Sequence, residues 1–85
     1  MRVAPQVTLT EQERSELEAL TRATDAPARL VQRARIILLA ADGEQNKTIA
    51  PQLGIGRAQV ARWRERFAMV GLGGILRDLP RGAPP

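Results

Sequence analysis

The stretch from Ile49 to Phe67, "IAPQLGIGRAQVARWRERF", leaves this chain the fewest choices. Two segments with apolar residues at helical spacing are separated by "GIG", too short a link for anything but a tight turn. Such a turn needs a residue that tolerates positive φ where the first helix stops, and a small residue where the second helix crosses it. Gly54 and Ala50 fill those places, and Ile49, Leu53, Ile55, Val60 and Trp63 supply apolar side chains to lock the pair. The spacing predicts a short helix capped by Asn46 and ended by Gly54, then a helix over about 57–70 ended by Gly71.

Two further helices are expected upstream to cover that pair. In "TEQE", Thr10 and Glu13 match a capping box, in which a hydroxyl and a carboxylate satisfy the free donors of a helix start. A first helix over about 11–22 follows, with a thin apolar face of Leu17, Leu20 and Ala23. In "TDAPARLVQRARIILLAADG", Asp25 is a plausible N-cap, Pro27 falls in the first turn and Gly43 provides the stop. Leu30, Val31, Ala34, Ile37, Leu38 and Ala41 form a broad stripe between them, which makes this helix the expected centre of the core. The tail "GLGGILRDLPRGAPP" reads as an extended arm with at most one turn near Ile75. The expected division is an N-terminal arm over 1–9, a helical domain over 10–70 and a Gly/Pro/Arg-rich arm or linker over 71–85. The fold class is all-α, a helix-turn-helix bundle of about four helices with an extended basic C-terminal arm.

Composition narrows the chemistry. With 85 residues the chain is one domain with a modest core and no room for a catalytic module beside it. Cys and His are both absent, which removes disulfides, thiol nucleophiles, the usual zinc sites and imidazole acid/base chemistry. Glu11, Glu13, Glu16 and Glu18 crowd one helix start, where negative charge complements the helix dipole, so they read as neither metal ligands nor catalytic carboxylates. No catalytic residue, metal or cofactor is expected, and no small-molecule substrate. The N-terminus lacks a signal-peptide core and the longest apolar run, "IILLAA", is far short of a membrane span, so the chain is expected to be soluble and cytoplasmic.

Charge points toward a polyanion. The net charge is +4, with 13 Lys and Arg against 9 Asp and Glu, but it is unevenly spread. Residues 1–25 hold three basic and five acidic side chains, whereas residues 26–85 hold ten basic and four acidic. A single Trp and a single Phe cannot build a stacking surface for single strands, which leaves the duplex.

On the last helix, a wheel at about 100° per residue places Trp63, Phe67 and Val70 with Val60 on the core side, and Ala58, Ala61, Arg62 and Glu65 away from it. Recognition helices read bases mainly from their N-terminal half, which nominates Arg57, Ala58, Gln59, Ala61 and Arg62. Lys47, Arg64 and Arg66 are better placed for phosphates. Trp63 is expected in the core, and Glu65 in an intrahelical ion pair. Arg29, Arg33 and Arg35 are expected in solvent or paired with the acidic first helix. Sequence-specific binding of double-stranded DNA is the leading expectation. A protein-interaction module, using the apolar cluster Leu72, Ile75, Leu76 and Leu79, is the alternative from another class, and a free-standing transcription regulator shares the DNA chemistry.

The blocks "APARLVQRARIILLAADG", "NKTIAPQLGIGRAQVARWRERF" and "GLGGILRDLPRGAPP", in that order, resemble the N-terminal DNA-binding region of bacterial mariner-like insertion-sequence transposases, the insertion sequence six-thirty family. The likeness runs from about Leu9 to Pro85. It implies a homeodomain-like fold, binding to the terminal inverted repeats of the element, and an AT-hook-like arm in which Arg77 and Arg81 enter the minor groove. It also implies that the catalytic ribonuclease-H-like domain lies elsewhere, so that this chain is a truncated or split transposase whose partners include DNA, itself or a full-length transposase. Three positions depart from the pattern. Gly56 stands where Ser is frequent, Pro51 lies inside a helix, and Ala83 occupies a place suited to Arg.

Overall fold

The computed structural model describes residues 7–76. Five helices follow one another: α1 (Glu11–Arg22), α2 (Ala28–Ala41), α3 (Asn46–Leu53), α4 (Arg57–Val70) and α5 (Leu72–Leu76). Among the described residues there is no strand. The all-α expectation holds, with one more short helix than the tail's composition announces. The segment over 77–85, and with it the expected extended arm, lies outside the described residues.

Helix starts and stops follow local chemistry. The Thr10 hydroxyl accepts from the Glu13 amide at 3.0 Å while a Glu13 carboxylate oxygen accepts from the Thr10 amide at 3.0 Å, so the capping box forms as read. Two other caps differ. Asp25 lies two residues ahead of the α2 cap, which is Pro27 and carries no side-chain cap bond. Pro27 has no N–H to leave unsatisfied, and its carbonyl takes up the Leu30 and Val31 amides instead. Asn46 is the first residue of α3 and Gln45 its cap; the Asn46 side chain is used elsewhere.

α2 is central because α1, α3, α4 and α5 all pack on it. This explains why the sequence stripe undercounts its core: Ile36 and Ala40, outside the stripe, are buried alongside Ala34 and Ile37. A helix covered on several sides buries more than one face. Leu17 is the fully buried anchor of α1, and Val7, just before α1, is also buried. Ile49 and Ala50 of α3, Val60, Trp63 and Phe67 of α4, and Ile75 of α5 complete the same cluster.

The α3–α4 turn is built on Gly54, whose φ of 69° is in the left-handed region. That conformation lets both Gly54 and Ile55 donate their amides to the Ala50 carbonyl, the latter at 3.0 Å. Pro51 stays within α3 without ending it. The carbonyl its missing N–H leaves unclaimed is that of Lys47, an exposed residue at the surface.

The end of α4 departs from the wheel. Val70 is 61 % exposed, not on the core side, because the chain reverses at Gly71 and α5 brings Ile75 into the core in its place. The close return depends on Gly74. A Cβ there would stand 2.8 Å from the Val70 Cβ and 3.2 Å from the Arg66 Cγ.

Candidate nucleic-acid interface

The first half of α4 is presented to solvent. Arg57, Ala58, Gln59, Ala61 and Arg62 are all exposed, and within this stretch Val60 alone is buried, tying the half-helix to the core. The start of α4 is capped by Gly56, in extended backbone and without a side-chain bond, so no bulky group crowds the end of the helix. Gln59 is additionally tethered: its Nε2 donates to the Gln32 Oε1 of α2 at 3.3 Å.

The second half of α4 is differently employed. Trp63 and Phe67 are nearly buried, as expected of core residues. Arg64 is 5 % exposed, which removes it from the phosphate-contacting set. Its Nη1 donates to the Glu44 carbonyl at 3.0 Å and to the Asn46 Oδ1 at 3.0 Å, tying α4 to the junction of α2 and α3. The physical reason is position on the wheel: at about 100° per residue Arg64 stands about 40° from Val60, closer than Trp63 at about 60°. Burial lowers its pKa from the ordinary guanidinium value through desolvation.

Arg66 is half-buried, with its guanidinium carbon 5.6 Å from the centroid of the Trp63 ring, and Lys47 is exposed at the first turn of α3. Arg33 of α2 lies over the same ring at 4.0 Å. It therefore contributes to a cation–π stack, a contact the sequence reading, which placed it in solvent or against α1, did not include. The signal was present in the spacing: Arg33 stands on the side of α2 that carries Ile37 and Ala40, one and two turns on. Of α1's acidic side chains, Glu18 pairs with Arg14 at 3.8 Å, and Arg14 also bridges Asp42, at the end of α2, at 3.3 Å. Glu65 is exposed, and no ion pair to it occurs among the described residues.

Of the apolar cluster expected as a protein contact, the two members with described side chains, Leu72 and Ile75, turn toward the core. Ile75 is fully buried and Leu72 partly buried against the core. Leu79, Arg77 and Arg81 lie outside the described residues. No group of three or more acidic side chains that could hold a metal ion occurs among the described residues, and no helix there is long and apolar enough to cross a membrane.

Residues 33–85 match the family model described as winged helix-turn helix. The matched stretch takes in most of α2 and all of α3, α4 and α5. Comparison with curated proteins and with solved structures gives no match.

Proposed function

Because this chain belongs to the winged helix-turn-helix family, a DNA-binding architecture, we propose that it reads a specific duplex sequence by laying the first half of α4 in the major groove. The observation that carries the proposal is the division of α4. The stretch from Arg57 to Arg62 exposes every side chain except Val60, while the rest of the helix is held by the core. Arg57 and Arg62 suit the paired acceptors of guanine, and Gln59 suits the donor and acceptor of adenine. Ala58 and Ala61 keep the helix slim enough to approach the base edges, and either methyl fits against that of thymine. Lys47 and Arg66 would take phosphates, with Arg77 and Arg81 following the backbone or the minor groove beyond.

The finer reading is that of a DNA-binding region from a mariner-like transposase, which would direct α4 to the terminal inverted repeats of an insertion sequence. What supports it is the order of blocks from Leu9 to Pro85, together with a helix pair in which Ala50 is buried and Gly54 turns. Within this reading the chain supplies recognition, and cleavage and joining belong to a separate carboxylate-bearing domain.

Two measurements test these levels separately. For docking, affinity for duplex DNA is followed against salt; log K is expected to fall by about 0.9 per neutralised phosphate for each unit of log salt. Arg57→Ala and Arg62→Ala are each expected to weaken the preferred site. Unchanged affinity of both variants for every duplex would overturn the docking. For the transposase reading, sites selected from genomic fragments of the source DNA should recur as inverted pairs flanking a mobile segment. Single, unpaired sites ahead of genes would favour a transcription regulator instead.

A further inference from the structure

We infer that the DNA footprint extends from α4 onto α2, where Arg29 and Arg33 join Arg66 in gripping phosphates along one wall of the groove that α4 enters. The inference rests on the proposed docking of α4 and adds a second helix to the surface that meets the duplex.

The geometry begins on α4. With Val60 at the centre of its buried face and about 100° per residue, Trp63, Gln59 and Arg66 fall about 60°, 100° and 120° to one side. They form the flank between the buried face and the presented one, with Trp63 buried, Arg66 half-buried and Gln59 exposed. α2 lies against that flank. Arg33 stacks over the Trp63 ring, 4.0 Å from its centroid, and the side-chain amides of Gln32 and Gln59 meet at 3.3 Å. Arg66 reaches the same ring at 5.6 Å. Two guanidinium groups from different helices therefore share one indole, and no ion pair to Arg66 occurs among the described residues. Like charges gathered in this way repel, and a phosphate beside them offsets the repulsion.

The side of α2 that makes these contacts continues to Arg29. Lying three residues before Gln32 and four before Arg33, Arg29 neighbours both on the helix surface, one turn nearer the helix start. Arg33 meets Trp63 whereas Gln32 meets Gln59, so the start of α2 is directed toward the reading half of α4. Exposure rises in the same direction: Ile36 is fully buried, Arg33 and Gln32 are half-buried, and Arg29 is exposed. The row emerges from the core beside the reading half and ends in a cation. Arg35 has the same charge and is also exposed, but it stands about 120° around α2 from Arg29, where it lines a cavity with Thr21 and Gln52.

Groove dimensions turn this row into a phosphate contact. The major groove is about 12 Å wide, so a helix on its midline has a sugar–phosphate backbone about 6 Å away along each flank. Packed helices stand about 8–10 Å apart, which brings the backbone on the α2 side over the row that carries Arg29 and Arg33. The opposite backbone falls on the α3 side, where Lys47 is exposed next to Asn46, the residue that Arg64 holds. Each wall of the groove then meets cations from a different helix. Contacts of this kind orient the protein and carry no sequence information, so their loss should weaken every duplex alike.

The test follows the affinity of the full 85-residue chain for one selected duplex against salt, comparing wild type with Arg29→Gln, Arg33→Gln, Arg33→Lys, Arg66→Gln and Arg35→Gln. Arg29→Gln, Arg33→Gln and Arg66→Gln should each lower the slope of log K against log salt by about 0.9, with base preference unchanged. Arg33→Lys keeps the charge and should keep the slope. Arg35→Gln, which removes the same charge from another side of α2, should leave the slope at the wild-type value. Thermal unfolding of each variant identifies a folding defect. Should Arg33→Gln unfold, the exposed Arg29 decides, read on a duplex in which single phosphates are replaced by neutral methylphosphonates. One replacement that weakens wild type should then leave Arg29→Gln unaffected. A wild-type slope in folded Arg29→Gln would overturn the inference, and the docking would stand if Arg57→Ala and Arg62→Ala still lose affinity. An equal drop in slope for Arg35→Gln would also overturn it, because net charge and not place would be the cause. Failure of wild type to retain any duplex would overturn both inference and docking.

Discussion

The two halves of α4 use one residue type for opposite purposes. Arg57 and Arg62 stand exposed in the first half, whereas Arg64 in the second is buried and spends its guanidinium on Glu44 and Asn46. Arg66 is intermediate, shared between surface and the Trp63 ring. Counting arginines on such a helix therefore overstates the charge it offers a partner. The first half is held by Val60 and reaches outward, and the second is anchored by Trp63, Phe67 and Arg64. A helix that must enter a groove needs this division, because the reading end has to be bare and still be stiff.

Substitutions in the anchored half should cost stability first. Trp63→Ala removes the largest core side chain of α4 and the ring on which Arg33 lies, so a loss of about 3–5 kcal/mol is expected in urea unfolding. In a domain whose total is on the order of 5–15 kcal/mol, that removes a large share of the stability. Arg64→Ala strips two hydrogen-bond acceptors at the α2–α3 junction of their donor, and about 2–3 kcal/mol should follow. A loss below about 0.5 kcal/mol would show that Arg64 is not a structural tie and would return it to the phosphate set. Gly74→Ala pushes a methyl against the Val70 Cβ and the Arg66 stem, and should cost about 1–2 kcal/mol by displacing α5 and, with it, Ile75. Melting of the variant beside wild type measures it; an unchanged midpoint would mean that α5 shifts freely and does not brace α4.

Much of the local structure is legible in the sequence. The capping box at Thr10, the positive-φ turn at Gly54 and the bounds of α4 follow from rules that act within a few residues and appear as read, and Ala50, the small residue of α3, is buried. The differences between sequence and structure arise where chain returns from elsewhere. By its charge Arg64 suits a phosphate, although its angle on the wheel lies within the core arc; its partners, a backbone carbonyl and an asparagine, are invisible to a sequence pattern. Asn46 has the side chain of a cap and does not serve as one for the complementary reason, since its oxygen is claimed by Arg64 from another helix. The wheel places Val70 inward because it carries no information that the chain turns back at Gly71 and buries Ile75. The candidate reading residues were legible as exposed positions, but the tether from Gln32 to Gln59 was not, because it joins two helices across the fold.

The smallest stability effect is the one that most sharpens the contrast between the halves. Arg62→Ala alters an exposed side chain with no bond to the core, so its unfolding free energy should stay within about 0.5 kcal/mol of wild type. Its affinity for a selected duplex should nevertheless fall, by about 1–3 kcal/mol if Arg62 pairs with guanine, with the loss concentrated at one base pair. If Arg62 instead touches a phosphate, the loss should be uniform across sequences and the salt slope should drop by about one phosphate's share. Arg64→Ala should behave in the opposite way, losing stability while its folded fraction binds with the wild-type salt slope. A crossed pattern of this kind assigns the two arginines, two positions apart on one helix, to separate tasks. Equal losses of stability and affinity in both variants would show that α4 works as a single unit with no boundary at Trp63.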